Sequence, residues 1–84
     1  MFDVNWVPPS EDQLAEVWTA AADRDAVTRA TNVVERVLAA RPLAVGEARS
    51  DGYRVLIEFP LVVYYDVSVS DRRVRVLKVV GWRA

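Results

Sequence analysis

Phe2, Val4 and Trp6 alternate with Asp3 and Asn5. A period of two puts the apolar side chains on one face of an extended segment, so the chain opens on a half-buried strand. Pro8-Pro9 ends it, because neither proline can donate to a ladder. Ser10 with Gln13 three positions later forms a capping-box pattern and predicts a helix start. Leu14, Val17, Trp18 and Ala21 follow at helical spacing and read as one core-facing stripe. Asp23-Arg24-Asp25 interrupts the stripe and supplies a new N-cap. The second helix is then expected over Ala26 to Ala40, with Val27, Ala30, Val34, Val37 and Leu38 buried and Arg29, Glu35 and Arg36 wet. Pro42 stops it.

Residues 43–52, with Gly46 and the Ser50-Asp51-Gly52 turn signal, read as a loop. Three strand-like runs follow: Tyr53–Phe59, Leu61–Val69 and Val74–Val80, joined at Pro60 and at Ser70-Asp71-Arg72. Alternation puts Tyr53, Val55, Ile57 and Phe59 on one face of the first run, against Arg54, Leu56 and Glu58. In the second, Leu61, Val63, Tyr65, Val67 and Val69 oppose Val62, Tyr64, Asp66 and Ser68. In the third, Val74 and Val76 oppose Arg73, Arg75 and Leu77, and Lys78 falls on the core side by strict alternation, so either a bulge shifts the register there or the strand end is exposed. With the charged faces turned from the helices, Leu14, Trp18, Val34 and Leu38 are expected against Val55, Ile57, Val63 and Val67. The fold class is α+β: an N-terminal strand, a two-helix hairpin, then a three-stranded antiparallel meander. The helices pack on one face of a small twisted sheet of about four strands.

An 84-residue chain with 52% apolar residues is one domain, 1–84, near the lower limit for folding alone. No apolar run approaches the roughly 20 residues of a membrane helix. Met1-Phe2-Asp3-Val4 lacks the basic start and apolar stretch of a signal peptide, so the expected location is cytoplasmic. The chain has neither histidine nor cysteine. That excludes disulfides, thiolate metal sites and nucleophile systems built on Ser-His or Cys-His pairs. The acids show no metal-cage spacing and the glycines are isolated, so neither metal nor cofactor is expected. Asp23 and Asp25 read as helix caps rather than an acid–base pair. The net charge of −1 argues against a protein that lives by gripping phosphates. The charge is uneven, with the helical half acidic and the meander half mildly basic.

What chemistry remains belongs to arginine and tyrosine. Arg54, Tyr64, Arg73 and Arg75 fall on the expected outer sheet face, and Arg83 has the same parity if the strand continues. Arginines around an aromatic could hold a phosphodiester and a stacked base. They could equally form cross-strand pairs with Glu58 and Asp66. Leu56, Val62 and Leu77 on the same face would make an apolar patch for another protein. Trp18 reads as core. Trp82 reads either as cover for the sheet end or as a docking residue.

In order and spacing, the chain resembles the RelE/ParE superfamily of toxins from type II toxin–antitoxin modules, including plasmid-stabilisation proteins of bacteria. Val4-Asn5-Trp6-Val7-Pro8 and Asp12-Gln13-Leu14-Ala15-Glu16-Val17-Trp18 resemble its strand–Pro–helix start. Glu35-Arg36-Val37-Leu38, followed by Pro42, Gly46 and Arg49, is similar to its helix-two exit. Gly52-Tyr53-Arg54, Val62-Val63-Tyr64-Tyr65-Asp66-Val67 and Val74-Arg75-Val76-Leu77-Lys78-Val79-Val80 resemble its strands. The resemblance implies an antitoxin partner that wraps the protein. It also implies either an mRNA endonuclease working at the ribosome through Arg, Lys and Tyr, or a ParE-like poison of gyrase. Of the nuclease set, Arg54 and Arg83 stand near basic positions and Tyr64 is an aromatic candidate. Val62 replaces the arginine of one strand, Leu56 a second basic position, and no tyrosine follows Arg83. Two arginines are a weak set for stabilising a phosphorane-like transition state. The expected function is therefore a toxin that binds protein through Leu56, Val62, Tyr64, Arg73, Arg75, Leu77 and Trp82. The alternatives are an mRNA endonuclease using Arg54, Tyr64 and Arg83, and a non-toxic interaction module or homodimer.

Overall fold

The computed structural model describes residues 1–82. Strand β1 (Asp3–Trp6) leads into helices α1 (Pro8–Ala20) and α2 (Arg24–Ala40), then strands β2 (Glu47–Ala48), β3 (Arg54–Glu58), β4 (Leu61–Ser68) and β5 (Arg73–Gly81). The sheet is open and five-stranded, in the order β1-β5-β4-β3-β2. Both helices cover one of its faces. The sheet is mixed: β1 runs parallel to β5 and the other neighbours are antiparallel. The meander is therefore antiparallel as expected. It gains a short fifth strand from the segment read as a loop, because Glu47 and Ala48 pair with Val55 and Arg54.

Helix α1 starts earlier than its capping box predicts. Pro8 and Pro9 occupy the first helical positions, where a missing N–H costs nothing and the fixed φ suits a helix. Ser10 Oγ donates to the Val7 carbonyl instead of capping. Gln13 is freed for another task. Beyond Trp6, β1 no longer runs beside β5, and the Gln13 Oε1 accepts from the Val79 N–H at 2.8 Å. Helix α2 follows its sequence signals more closely. Asp23 is its N-cap, accepting from the Ala26 N–H at 3.0 Å, and Arg41 precedes the stopping Pro42.

The core is the α2 stripe Val27, Ala30, Val34 and Leu38 against Leu61, Val63 and Tyr65 of β4 and Val74, Val76 and Val79 of β5. Each such aliphatic side chain, fully buried, stabilises the fold by roughly 1.5–3 kcal/mol. Helix α1 contributes less, since Leu14 and Val17 are only partly buried. Trp18 is not core: it is 43% exposed, with the Arg24 guanidinium 4.7 Å above its ring.

One strand is turned over relative to expectation. Glu58 pairs with Leu61 across the two-residue Phe59-Pro60 turn, and every β3 position follows from that register. Leu56 meets Val63 and packs on the core, whereas Val55 and Ile57 face outward opposite Tyr64 and Val62. Arg54 also lies on the helix side, opposite Tyr65. Its Nη2 donates to the carbonyls of Leu43, Val45 and Gly46, at 3.1, 3.2 and 3.4 Å. The Tyr65 hydroxyl lies 2.8 Å from the carbonyl oxygens of both Pro42 and Val45. Together these two side chains satisfy the polar backbone of the loop leaving α2. Gly46 in that loop has φ of +70°, and a Cβ there would stand 2.6 Å from the Tyr65 hydroxyl. The expected burial of Val55 and Ile57 against the helices is thus corrected: loop carbonyls beneath the sheet end need a donor, and arginine supplies it.

Leu38→Ala should lower stability by about 2–5 kcal/mol, measured by urea unfolding, because its site in the core is fully enclosed. Gln13→Leu should cost about 1–3 kcal/mol by leaving the Val79 N–H unpaired, and hydrogen exchange at Val79 should accelerate.

Candidate functional site

With helices on one side only, the other sheet face lies open. Register places Val55 and Ile57 of β3, Val62, Tyr64, Asp66 and Ser68 of β4, and Arg73, Arg75, Lys78 and Val80 of β5 on it. Lys78 reaches this face through a bulge. Tyr64 pairs with Lys78 and the next residue, Tyr65, with Val76, leaving Leu77 without an opposite partner. Strict alternation would have put Lys78 among the core valines.

The face divides into two zones. Toward the β3 side it is apolar and aromatic. Val55 and Val62 are only 8% and 9% exposed although no layer covers them, while Ile57 beside them is 56% exposed. The rings of Tyr53 and Tyr64 lie 5.9 Å apart and tilted by 48°, within the centroid range of aromatic pairs. The Lys78 ammonium sits 5.3 Å from the Tyr64 ring centroid, within cation–π range.

The second zone is polar. Asp66 and Arg75 are register partners on β4 and β5, and their side chains form a two-point ion pair with one contact at 3.1 Å. The Asp66 hydrogen bond, then its charge, holds the Arg75 guanidinium above its ordinary pKa. Arg75 is therefore committed within the sheet. Arg73, opposite Ser68, is exposed and in no ion pair among the described residues.

Of the residues singled out from sequence, the structure brings Val62, Tyr64, Arg73 and Arg75 to this face, with Leu77 half-buried in the bulge beside it. Leu56 and Arg54 are corrected to the opposite side, one in the core and one tied to loop carbonyls. Arg83 lies outside the described residues. Trp82 is 46% exposed at a different place, a groove of about 650 Å³ beside the sheet end that it lines with Val17, Phe59 and Pro60. Sequence reasoning missed Val55, Ile57, Tyr53 and Lys78. The signal for the first three was the hairpin length: a two-residue turn at Phe59-Pro60 puts Glu58 opposite Leu61, which fixes their parity.

No protein-family model matches the sequence, and no curated protein matches it. Solved structures do match. A chain of the RelBE2 toxin–antitoxin complex from Mycobacterium tuberculosis is similar over 95% of this chain and 90% of its own, with a TM-score of 0.78 at 16% identity. A chain of the chromosomal ParDE system from P. aeruginosa is similar over 99% of this chain and 98% of its own, with a TM-score of 0.67, also at 16% identity. The resemblance seen in the strand and helix motifs therefore extends to three dimensions, and the chain has the fold found in RelBE and ParDE toxin–antitoxin systems.

Proposed function

We propose that this protein is the toxin component of a type II toxin–antitoxin module, acting in the cytoplasm by binding protein, and that the open sheet face is its grip. The observation that carries the reading is the composition of that face. Val55, Ile57, Val62, Tyr64 and Val80 form an apolar zone, Lys78 stands beside it over Tyr64, and Arg73 adds an unpaired positive charge farther along β5, while Arg75 is held by Asp66. Apolar anchors rimmed by cations suit an acidic, amphipathic segment of a cognate antitoxin. Such a segment would gain most of its affinity from the anchors, with the charges speeding encounter. The fold shared with toxin–antitoxin proteins supports an antitoxin as partner. ParE-like action on a protein target such as gyrase fits the same surface.

The case against RNA cleavage rests on Arg54 and Val62. One of the two arginines that stand near basic positions is spent on loop carbonyls, and a valine occupies the outward position where the resemblance implies another. One observation favours the nuclease reading: Tyr64, with Tyr53 and Lys78 beside it, offers a ring and a cation of the kind that bind a base and its phosphate.

Tyr64→Ala combined with Ile57→Ser should weaken binding to the protein encoded beside this chain by more than about tenfold, or 1.4 kcal/mol, in calorimetric titration. Circular dichroism should show the fold retained. Unchanged affinity would remove this face as the grip. The purified protein added to translating ribosomes should give no codon-dependent mRNA cuts by primer extension. Cuts that disappear in Arg83→Ala or Lys78→Ala would establish the nuclease reading instead.

A further inference from the structure

The outward positions of β5 form a row. Arg73, Arg75 and, after the bulge, Lys78 follow one another on the open face, with Tyr64 and Tyr53 beside the Lys78 end. At about 3.3 Å per residue the two arginines lie about 7 Å apart and the row spans roughly 15 Å. A cationic track with aromatic rings along it is what holds a single-stranded nucleic acid: the track follows the backbone and the rings stack the bases. Yet the middle of this row is already occupied.

Asp66 lies opposite Arg75 in register and takes its guanidinium at two points, Nε donating to Oδ1 at 3.1 Å and Nη2 to Oδ2. Arginine holds a phosphate with the same fork, so the carboxylate stands where a phosphate would. The other carboxylates of the face leave the row alone. Asp3 lies beside Arg73 across β1 and is in no ion pair among the described residues, and Glu47, on the far edge strand, is held by Arg49. A phosphate that took Arg75 would leave the Asp66 carboxylate unpaired beside it, and like charges in contact turn a partner away. A nucleic acid is charged at every residue and cannot cross this point without that clash. A protein segment can cross it, with acidic residues at Arg73 and Lys78 and an uncharged one between.

We infer that Asp66 sets the class of partner the open face accepts: it withholds Arg75 from phosphodiesters, and so excludes single-stranded RNA while admitting an acidic protein segment. The inference rests on the protein-binding reading and adds the residue that enforces it. Specificity of this kind comes from an element placed against the wrong partner rather than from added contacts to the right one. Asp66→Asn keeps the shape of the side chain and leaves the guanidinium without its counter-charge. An exposed ion pair contributes little to stability, so the fold survives the change. Asp3→Asn is the matched control, because it makes the same change of charge on the same face, next to Arg73, without releasing a paired arginine.

The probe is a fluorescently labelled single-stranded oligouridylate, titrated with the full chain and followed by anisotropy over a range of salt. The unsubstituted protein should bind it weakly. Asp66→Asn should tighten binding by at least about tenfold, and Asp3→Asn by no more than about twofold. The plot of log affinity against log salt should steepen by about 0.7 in Asp66→Asn, the increment for one more phosphate on a single strand. Both gains should vanish when Asp66→Asn is combined with Arg75→Gln. The Arg75 Nε–H resonance reads the contact directly: RNA should shift it in Asp66→Asn and leave it in place in the unsubstituted protein. Equal gains in the two asparagine variants would overturn the inference. So would a gain that survives Arg75→Gln, or an Arg75 resonance indifferent to RNA. Weak binding by every variant would overturn it too, and would leave the protein-binding reading standing. Tight binding by the unsubstituted protein, unaltered in Asp66→Asn, would overturn both. Circular dichroism on each variant separates a change at the site from loss of the fold.

Discussion

Pairing between Glu58 and Leu61 governs what this protein shows to its surroundings. Side chains on a strand alternate with a period of two, so one register decides the face of every residue on β3. With the two-residue turn at Phe59-Pro60, Leu56 enters the core and Arg54 reaches under the sheet end to the loop carbonyls. Val55 and Ile57 are then presented outward beside Val62 and Tyr64. A slip of one residue would turn Val55 and Ile57 to the helix side and carry Arg54 and Glu58 to the open face. The apolar centre of the open face and the withdrawal of Arg54 from it are thus one event.

Elements with their own local signals were legible in the sequence. The Asp23 cap, the α2 stripe, the Pro42 stop and both faces of β4 are set by short-range chemistry, and periodicity reads them directly. What could not be read depends on distant partners. Gln13 looks like half of a capping box, yet its acceptor serves Val79, far away in sequence, because β1 stops short of the end of β5. Trp18 sits on an apolar stripe, but α1 leans toward β5 and leaves that edge of the stripe to Arg24 and solvent. Assigning charged residues to the wet side of β3 failed for a related reason. A buried arginine can be satisfied by backbone carbonyls, and composition does not show where those carbonyls lie. Lys78 was legible in part: the conflict between its charge and its parity left a bulge or an exposed strand end, and the structure has a bulge.

The two layers carry different electrostatic characters. The sheet face joins apolar anchors to arginine and lysine, while the helical half is acidic. The net charge of −1 conceals this separation, because the halves nearly cancel.

The place of β5 in the sheet bears on how the molecule comes into being. Among the described elements it comes last in sequence, yet it lies between β1, which comes first, and β4. While the chain is being synthesised, β1 has no neighbour to pair with, and α1 lacks the strand it leans on. Such long-range pairing is slow, since the loop must close before any contact rewards it. The open sheet face is incomplete until β5 inserts, because Arg73, Arg75, Lys78 and Val80 all come from it. Withdrawal of β5 would therefore strip β1 of its pairing and part Lys78 from the Tyr64 ring in a single step, so the open face is lost as a unit rather than piece by piece.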